Sequence, residues 1–416
     1  MHTSTLDILR CPYCGGRLEL VTSMSHERRG EEIDNGILGC ACCLFPVVAG
    51  IPVMHLLPAA VAARTHIEAG SWQRALGAMV GFDDEPRTAT LAAVAQSETA
   101  TFRDVVQALG PDFEGGYLLY RFTDPTYIVA HAVVRAVAGA VLHGTRRAVD
   151  VCGGTGPLTR ALAGLSRTPP IVADLYFSKV WLARRFTVPG CEAVCCDGNA
   201  PLPFARGAFG YAMCSDAFMY IWTKRQFVGE LERLVDGEGE PGAVVINHTH
   251  NQLVWSPSHG QTLTPDGYRD LFETIPPRVL ADSRMFTEVL KGGPLDLGHR
   301  DGAEALDAEA SLTLIASRDE RVFRKHAVEP PGAIGGRFQI NPLYAVREEN
   351  GRLHLTLTFP DQEYEDEFGA CRLYLPEETS LDAAELAALQ STGATTGLIA
   401  ELIRRRVIVD LPSRYY

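Results

Sequence analysis

The residues best suited to chemistry begin with a glycine turn. Residues 149–156 read VDVCGGTG, which places Asp150 before Cys152, Gly153, Gly154 and Gly156. Glycines let the backbone approach a ligand closely, and the N–H groups of a following helix point at that ligand. The turn lacks the lysine of a phosphate-cradling loop and the third glycine of a dinucleotide-binding turn. We therefore expect a strand, a turn and a helix that open a doubly wound α/β domain for a nucleoside-type ligand.

Two acidic residues follow this turn in order. Asp174 ends an apolar stretch and is followed by Leu175, while Asp197, Gly198 and Asn199 precede the sequence APLPF. Together with the turn, these segments resemble the class I S-adenosylmethionine (SAM) methyltransferases, whose first motif is D-x-G-x-G-x-G. The resemblance implies a Rossmann-like α/β sheet in which Asp174 binds the ribose and Asp197 accepts from the adenine amino group.

The resemblance also defines the whole expected cofactor site. Cys152 stands where the family usually has its first glycine, a position that tolerates small residues. Gly210 replaces the acid of the family's F-D-x-V strand, and we assign it no role. The residues expected to bind SAM are Asp150, Cys152, Gly153, Gly154, Gly156, Asp174, Leu175, Asp197, Gly198, Asn199 and Ser215.

A second group of residues has the spacing of a zinc site. Cys11 and Cys14 form one C-x-x-C pair and Cys40 and Cys43 form another, with Cys42 as a spare or alternative ligand. Two such pairs predict a structural zinc ribbon, because four thiolates leave Zn²⁺ no open position. The sequence LFPVVAGIPVM that follows resembles the ending of small zinc-ribbon proteins that partner, or are fused to, methyltransferases. Buried free cysteines are the alternative.

A third group follows the predicted fourth and fifth strands. Tyr220 lies just after Ser215, and His248 and His250 lie at the end of the apolar run that begins near residue 243. Ligands of open α/β sheets bind beyond the carboxyl ends of the strands, and histidine is suited to proton transfer near neutral pH. We expect Tyr220, His248 and His250 to act in catalysis. The alternatives are polar groups that cap a strand and a metal pair, for which the sequence offers no third ligand of clear spacing.

The rest of the sequence indicates several domains, since 416 residues suffice for two or three. We expect a zinc ribbon at 1–57, a helical lid or linker region at 58–145 and a SAM-binding domain at 146–325. An insertion at about 256–296 is expected to shape substrate specificity and includes His259 as a secondary candidate. Residues 330–416 are expected to form a small α+β module.

Composition restricts the partners. The formal net charge is −13, which argues against nucleic acid as a partner. No apolar run reaches the length of a membrane helix, and the N-terminus lacks a secretory pattern. We therefore expect a cytoplasmic protein that acts on a small molecule and has no membrane partner, while a homo-oligomer stays open.

The leading interpretation is a SAM-dependent methyltransferase that modifies a small molecule, such as a secondary metabolite, at oxygen, nitrogen or carbon. Its cofactors would be SAM and a structural Zn²⁺. One alternative is an RNA methyltransferase of the ribosomal type, which the acidic charge disfavours. Another is an enzyme of the same fold that transfers the aminocarboxypropyl arm or closes a ring. A scaffold without catalysis is disfavoured because both Asp174 and Asp197 are present.

Overall fold

The structure is a computed structural model that describes residues 1–82, 84–110, 115–256, 260–328 and 334–416. His259 and residues 330–332 of the expected linker lie outside these ranges.

The first 57 residues form a small β domain. Its elements are α1 (Thr3–Leu6), β1 (Glu19–Leu20), β2 (Glu27–Arg29), β3 (Glu32–Gly39), β4 (Leu44–Val48) and β5 (Ile51–Pro52). The strands are antiparallel in the order β1-β3-β4-β5, and β2 also pairs with β3. This arrangement brings the two cysteine groups together at one end of the domain.

Six helices follow. They are α2 (Pro58–Glu68), α3 (Trp72–Met79), α4 (Glu85–Gln96), α5 (Phe102–Leu109), α6 (Gly115–Tyr120) and α7 (Pro125–Val141). Apolar spacing over residues 88–108 predicts one helix, whereas the structure has α4 and α5. The chain breaks there because Thr101 and Asp104 form a capping box that starts a new helix.

A seven-stranded mixed sheet forms the centre of the molecule. Its strands are β6 (Ala148–Val151), β7 (Ile171–Asp174), β8 (Glu192–Cys195), β9 (Tyr211–Ser215), β10 (Ala243–His250), β11 (Arg278–Ala281) and β13 (Ser311–Ser317). The same region contains β12 (Leu295–Asp296), which lies outside this sheet. The helices are α8 (Pro157–Ala163), α9 (Phe177–Leu182), α10 (Lys224–Val235), α11 (Pro265–Arg269), α12 (Asp282–Leu290) and α13 (Ala303–Asp307).

The order of the central strands locates a ligand crevice. The order is β11-β13-β10-β9-β6-β7-β8, and β6 to β10 are parallel. The chain leaves β6 toward β7 and β8, then returns to the other side of β6 for β9 and β10. In open α/β sheets this reversal opens a crevice beyond the carboxyl ends of the two central strands. The topology is therefore the Rossmann-like fold expected from the sequence.

β13 is antiparallel to its neighbours and lies inside the sheet, between β10 and β11. The apolar run at residues 312–316 predicts a late antiparallel strand that closes the sheet, but the outer edge strand is β11. That edge strand comes from residues 256–296, so part of the expected insertion belongs to the central sheet. Strand order depends on contacts between distant segments, which a local hydrophobic pattern does not specify.

The described part of the C-terminal region has three α-helices and contributes strands to three small sheets. Its elements are β14 (Lys325–His326), β15 (Gly336–Ile340), β16 (Tyr344–Glu349), β17 (Arg352–Leu357), β18 (Glu378–Asp382), β19 (Ile408–Pro412), α14 (Gln362–Phe368), α15 (Ala383–Thr392) and α16 (Gly397–Arg404). β15 pairs with β19, β16 to β18 form a meander, and β14 pairs with β12. Asn350 and Gly351 both have positive φ, as a tight turn between β16 and β17 requires.

The two terminal regions both pack on the rest of the molecule. Val53, just after β5, pairs with Cys195, so the cysteine-containing domain covers the edge strand β8. At the other end of the chain, the Tyr415 hydroxyl donates to the Leu118 carbonyl at 2.6 Å and thereby holds α6. Among the described helices, none combines the length and the apolar character needed to cross a membrane.

Candidate functional site

The glycine turn joins β6 to α8 at the crevice. Cys152, Gly154 and Gly156 all have positive φ, at 61°, 55° and 78°. This left-handed conformation favours glycine, so Cys152 holds a conformation for which the family motif provides glycine. A Cβ at Gly153 would lie 2.7 Å from the Asp150 carboxylate, which leaves room only for hydrogen there. The turn thus combines the bend and the close approach that a bound ligand needs.

Asp150 lies beneath this turn and is 1% exposed. Its Oδ2 accepts from the Thr159 hydroxyl at 2.7 Å, while its Oδ1 has no hydrogen-bond partner among the described residues. Burial, with a further contribution from the charge of Asp174, raises the pKa of Asp150 to about 7. A buried acceptor without a hydrogen-bond partner is expected in a site that binds a polar ligand.

Asp174 closes the turn from the end of β7. Its Oδ2 accepts from the Gly154 N–H at 3.0 Å and its Oδ1 accepts from the Tyr176 N–H at 2.9 Å. Burial raises the pKa of this carboxyl above its usual range. Each carboxylate oxygen has a second lone pair, so Asp174 retains the capacity to accept from ribose hydroxyls.

The remaining residues that are predicted to bind the cofactor lie in the loops that follow β7, β8 and β9 or at the ends of those strands. Asp197 and Gly198 line the loop after β8, where a Cβ at Gly198 would lie 3.3 Å from the Cys152 sulfur. Asn199 has a different use, because its Oδ1 accepts from the Trp222 N–H at 2.6 Å and so fixes the loop after β9. The carbonyl of Leu175 accepts from the thiol of Cys195, and Ser215 ends β9.

His248 lies at the end of β10 in a strained conformation. Its φ is 51°, and the pairing of β10 with β13 shifts at this point. Its Nδ1 is 3.0 Å from Oδ2 of Asp282, whose Oδ1 accepts from the Thr313 hydroxyl at 2.7 Å. Burial lowers the pKa of His248, but the bond to Asp282 and the charge of Asp216 outweigh it and raise the pKa to about 9. Asp282 therefore fixes the ring and leaves Nε2 for the crevice.

His250 faces His248 with ring centroids 5.4 Å apart. Its Nδ1 is 2.9 Å from the Ser256 hydroxyl. Burial and then the charge of His248 lower the pKa of His250, so it is neutral near pH 7. The two histidines are equivalent in the sequence pattern, whereas in the structure their pKa values are shifted in opposite directions.

Asp216 completes this cluster and was not singled out by sequence. One ligand atom from each of Asp216, His248 and His250 lies within 4.8 Å of the other two, so the three could hold a metal ion. Spacing in the sequence indicates no third ligand because Asp216 is far from the histidines in the chain. Its position directly after β9 is the signal that could have identified it, since β9 and β10 are neighbours in the sheet.

Arg121 connects the cluster to the helices above it. Its guanidinium donates to Asp216 at 2.9 Å and to Asp124 at 2.5 Å. The segment between α6 and α7 is thereby held over the carboxyl end of β9, as a lid would be. Tyr220, in contrast, lies on a turn after β9 with 57% of its surface exposed.

The cysteines form a compact group at the other end of the chain. One sulfur from each of Cys11, Cys14, Cys40 and Cys42 lies within 4.8 Å of the other three. The Cys42 sulfur lies 3.6 Å from the sulfurs of Cys11 and Cys40, and the Cys14 and Cys40 sulfurs are 3.8 Å apart. These non-bonded distances match the roughly 3.8 Å expected between sulfurs around one tetrahedral Zn²⁺. The group includes Cys42, the alternative ligand, and the Cys43 sulfur lies 3.3 Å from the Cys42 sulfur.

Solved structures of class I SAM-dependent methyltransferases are similar to this chain. A SAM-dependent methyltransferase from Aquifex aeolicus is 12% identical and has a TM-score of 0.35, with 49% of this chain and 97% of that chain covered. Haemonchus contortus phosphoethanolamine N-methyltransferase 2, solved with SAM, is 14% identical with a TM-score of 0.37, and coverage is 53% and 60%. A chain from the complex of the Haloferax volcanii Trm112 methyltransferase activator with a methyltransferase is 18% identical with a TM-score of 0.34, and coverage is 45% and 88%.

The similar structures also include a cyclase. No protein-family model and no curated protein matches the chain. The likeness therefore concerns the fold, and the reaction has to be argued from the residues of this chain.

Proposed function

We propose that the protein is a SAM-dependent methyltransferase that modifies a small, largely apolar molecule. The observation that carries this proposal is the glycine turn at the reversal of the sheet, with Asp174 at the end of the next strand. The orphaned Oδ1 of Asp150 lies near the end of β6, and the buried side-chain amide of Asn247, which has no partner among the described residues, lies on β10 beside the end of β9. Unpaired buried polar groups at such strand ends fit a ligand with many hydrogen-bonding groups.

In this proposal Asp174 binds the ribose hydroxyls, and Asp197 accepts from the adenine amino group. When bound, SAM supplies a methyl group on a sulfonium, which a nucleophile attacks in line. His250 accepts the proton that a substrate hydroxyl or amine loses, because it is neutral and its Nδ1 is engaged by Ser256. Protonated His248 and Arg121 bind negative charge near the reacting oxygen.

The substrate class follows from the rim of the crevice. Large apolar side chains with more than half of their surface exposed follow the ends of three parallel strands: Tyr176 after β7, Tyr220 and Trp222 after β9, and Leu253 and Trp255 after β10. An exposed apolar group of this size commonly marks a ligand or partner surface. A substrate with an aromatic or isoprenoid body and one hydroxyl or amine would contact this rim and reach His250.

Cofactor binding can be tested without knowing the substrate. Calorimetry with S-adenosylhomocysteine should show a loss of ~1–3 kcal/mol in affinity for Asp174→Ala, the cost of leaving buried partners unpaired. Asp236→Ala is the matched control, because Asp236 is exposed at the end of α10. Equal affinity of wild type and Asp174→Ala would refute the cofactor assignment.

Proton transfer requires a second experiment. Single-turnover methyl transfer with labelled SAM, against a panel of phenols and aliphatic alcohols and amines, should fall by ~10²–10⁴-fold in His250→Ala. His354→Ala, on β17, is the control. Full activity of His250→Ala would mean that another group takes the proton.

A metal-assisted reaction is the second candidate. The observation that favours it is the cluster of Asp216, His248 and His250, with Asp282 orienting one histidine as in many metal sites. An ion there would bind the substrate oxygen and lower its pKa.

Metal analysis separates the candidates. About one equivalent of Zn²⁺ per chain fits the cysteine site alone, and two equivalents that fall to one in His250→Ala would establish the second metal.

A further inference from the structure

An unexplained feature outside the crevice is a basic cavity of about 460 Å³ beside α7. It lies between α7, α12, β14 and the end of α16. Its described lining includes five arginine or lysine residues and two histidines but no aspartate or glutamate: Arg135, Arg324, Lys325, Arg404, Arg406, His131 and His326. In a chain with a net charge of −13, this is a local reversal of sign.

Arg406 is the central observation, because it is only 8% exposed. Its guanidinium lies 4.6 Å from the centroid of the Tyr127 ring, and no described residue gives it a hydrogen bond or an ion pair. The nearby carboxylate of Asp410 is instead paired with Arg160 at 2.8 Å. A buried cation without a counter-ion is costly, so the position favours an anion from solution.

His131 gives the same indication independently. It is 5% exposed, lines the cavity and stacks on Tyr127 with the ring centroids 5.1 Å apart. No described residue hydrogen-bonds its ring nitrogens. Two side chains more than nine-tenths buried therefore present unpaired donor groups to one cavity, which native proteins rarely leave unsatisfied.

Other basic residues at the cavity already have partners. Arg404 pairs with Glu401, and Lys325 lies 3.7 Å from Asp296. These contacts reduce the positive charge of the lining, but they leave the Arg406 guanidinium without a direct ion-pair partner among the described residues. The lining also includes apolar side chains, among them Ile128, Val289 and Ile403.

We propose that this cavity binds a small organic anion, whose phosphate or carboxylate group contacts Arg406 and His131 and whose apolar part packs on the apolar residues of the lining. The volume is in the range of small-molecule sites. None of the residues assigned to SAM or to proton transfer lines the cavity, so this site stands or falls independently of the proposed reaction.

Thermal unfolding of the full-length protein tests the proposal. Pyrophosphate and citrate at about 10 mM should each be compared with sodium chloride of equal ionic strength. We expect at least one of them to raise the Tm of the wild type by about 3 °C or more, since a ligand that binds only the native state stabilises it. A larger effect of pyrophosphate identifies a phosphate site, and a larger effect of citrate identifies a carboxylate site.

Two variants make the result specific. Arg406→Met should lose the anion-dependent rise, while Arg347→Met, at an exposed arginine on β16, should keep it. His131→Phe, which keeps a ring against Tyr127, should weaken the rise and serves as well if Arg406→Met does not fold. No rise with either anion, or an equal rise in wild type, Arg406→Met and His131→Phe, would overturn the proposal.

Discussion

Replacing Asp150 with asparagine should remove a pH-dependent loss of stability at the glycine turn. Burial raises the pKa of Asp150 to about 7, against about 3.9 for an unfolded aspartate. Between these values the native state keeps a proton that the unfolded state has lost, so the free energy of unfolding falls as pH rises. Three pKa units correspond to about 4 kcal/mol, and this contribution is lost completely above about pH 7.

Asparagine at position 150 is neutral at every pH and keeps an oxygen that can accept from Thr159. Relative to the wild type, Asp150→Asn should therefore gain up to about 4 kcal/mol of unfolding free energy between about pH 4 and pH 8. Urea denaturation at several pH values across this range measures the difference. Asp266→Asn is the control, because the side chain of Asp266 is 85% exposed. Parallel pH profiles of wild type and Asp150→Asn would show that Asp150 ionises in the native state without cost, contrary to this reasoning.

Two further predictions concern the ends of the chain. Cys11→Ser should lose the single equivalent of Zn²⁺ and destabilise the N-terminal domain, whereas Cys43→Ser should keep the metal, since the Cys42 sulfur completes the group. Metal analysis of both proteins checks this, and metal loss in Cys43→Ser alone would contradict it. Tyr415→Phe should lower the free energy of unfolding by ~1–3 kcal/mol, because it leaves the buried Leu118 carbonyl without its donor. An unchanged denaturation midpoint would show that the C-terminus does not hold α6.

The N-terminal domain contacts the loop that carries Asp197 as well as the edge of the sheet. The Arg10 N–H donates to the Pro203 carbonyl at 2.9 Å, and the Ala205 N–H donates to the Ile8 carbonyl at 2.8 Å. These bonds fix the segment that follows Asp197. The cysteine-containing domain thus acts on the site through backbone contacts, in keeping with the structural role that four thiolates imply.

Local sequence determined the turn, because a strand, a glycine bend and a helix are specified by about fifteen consecutive residues. Gly154 and Gly156 do have positive φ, and Asp174 does lie against the turn. The C-x-x-C spacing likewise predicted that the two cysteine groups would lie close together. In each case the interacting groups are close in sequence or joined by one hairpin, so spacing alone indicates their proximity.

Only the tertiary structure decided which distant residues share a site. Asp216 meets His248 and His250 because β9 and β10 are neighbours, and Asp282 reaches His248 because β11 and β13 pair beyond β10. The buried Arg406 faces His131 of α7 from the far end of the chain. Strand order and domain packing arise from the burial of apolar faces that many segments could provide, so the sequence pattern of any single segment does not determine them.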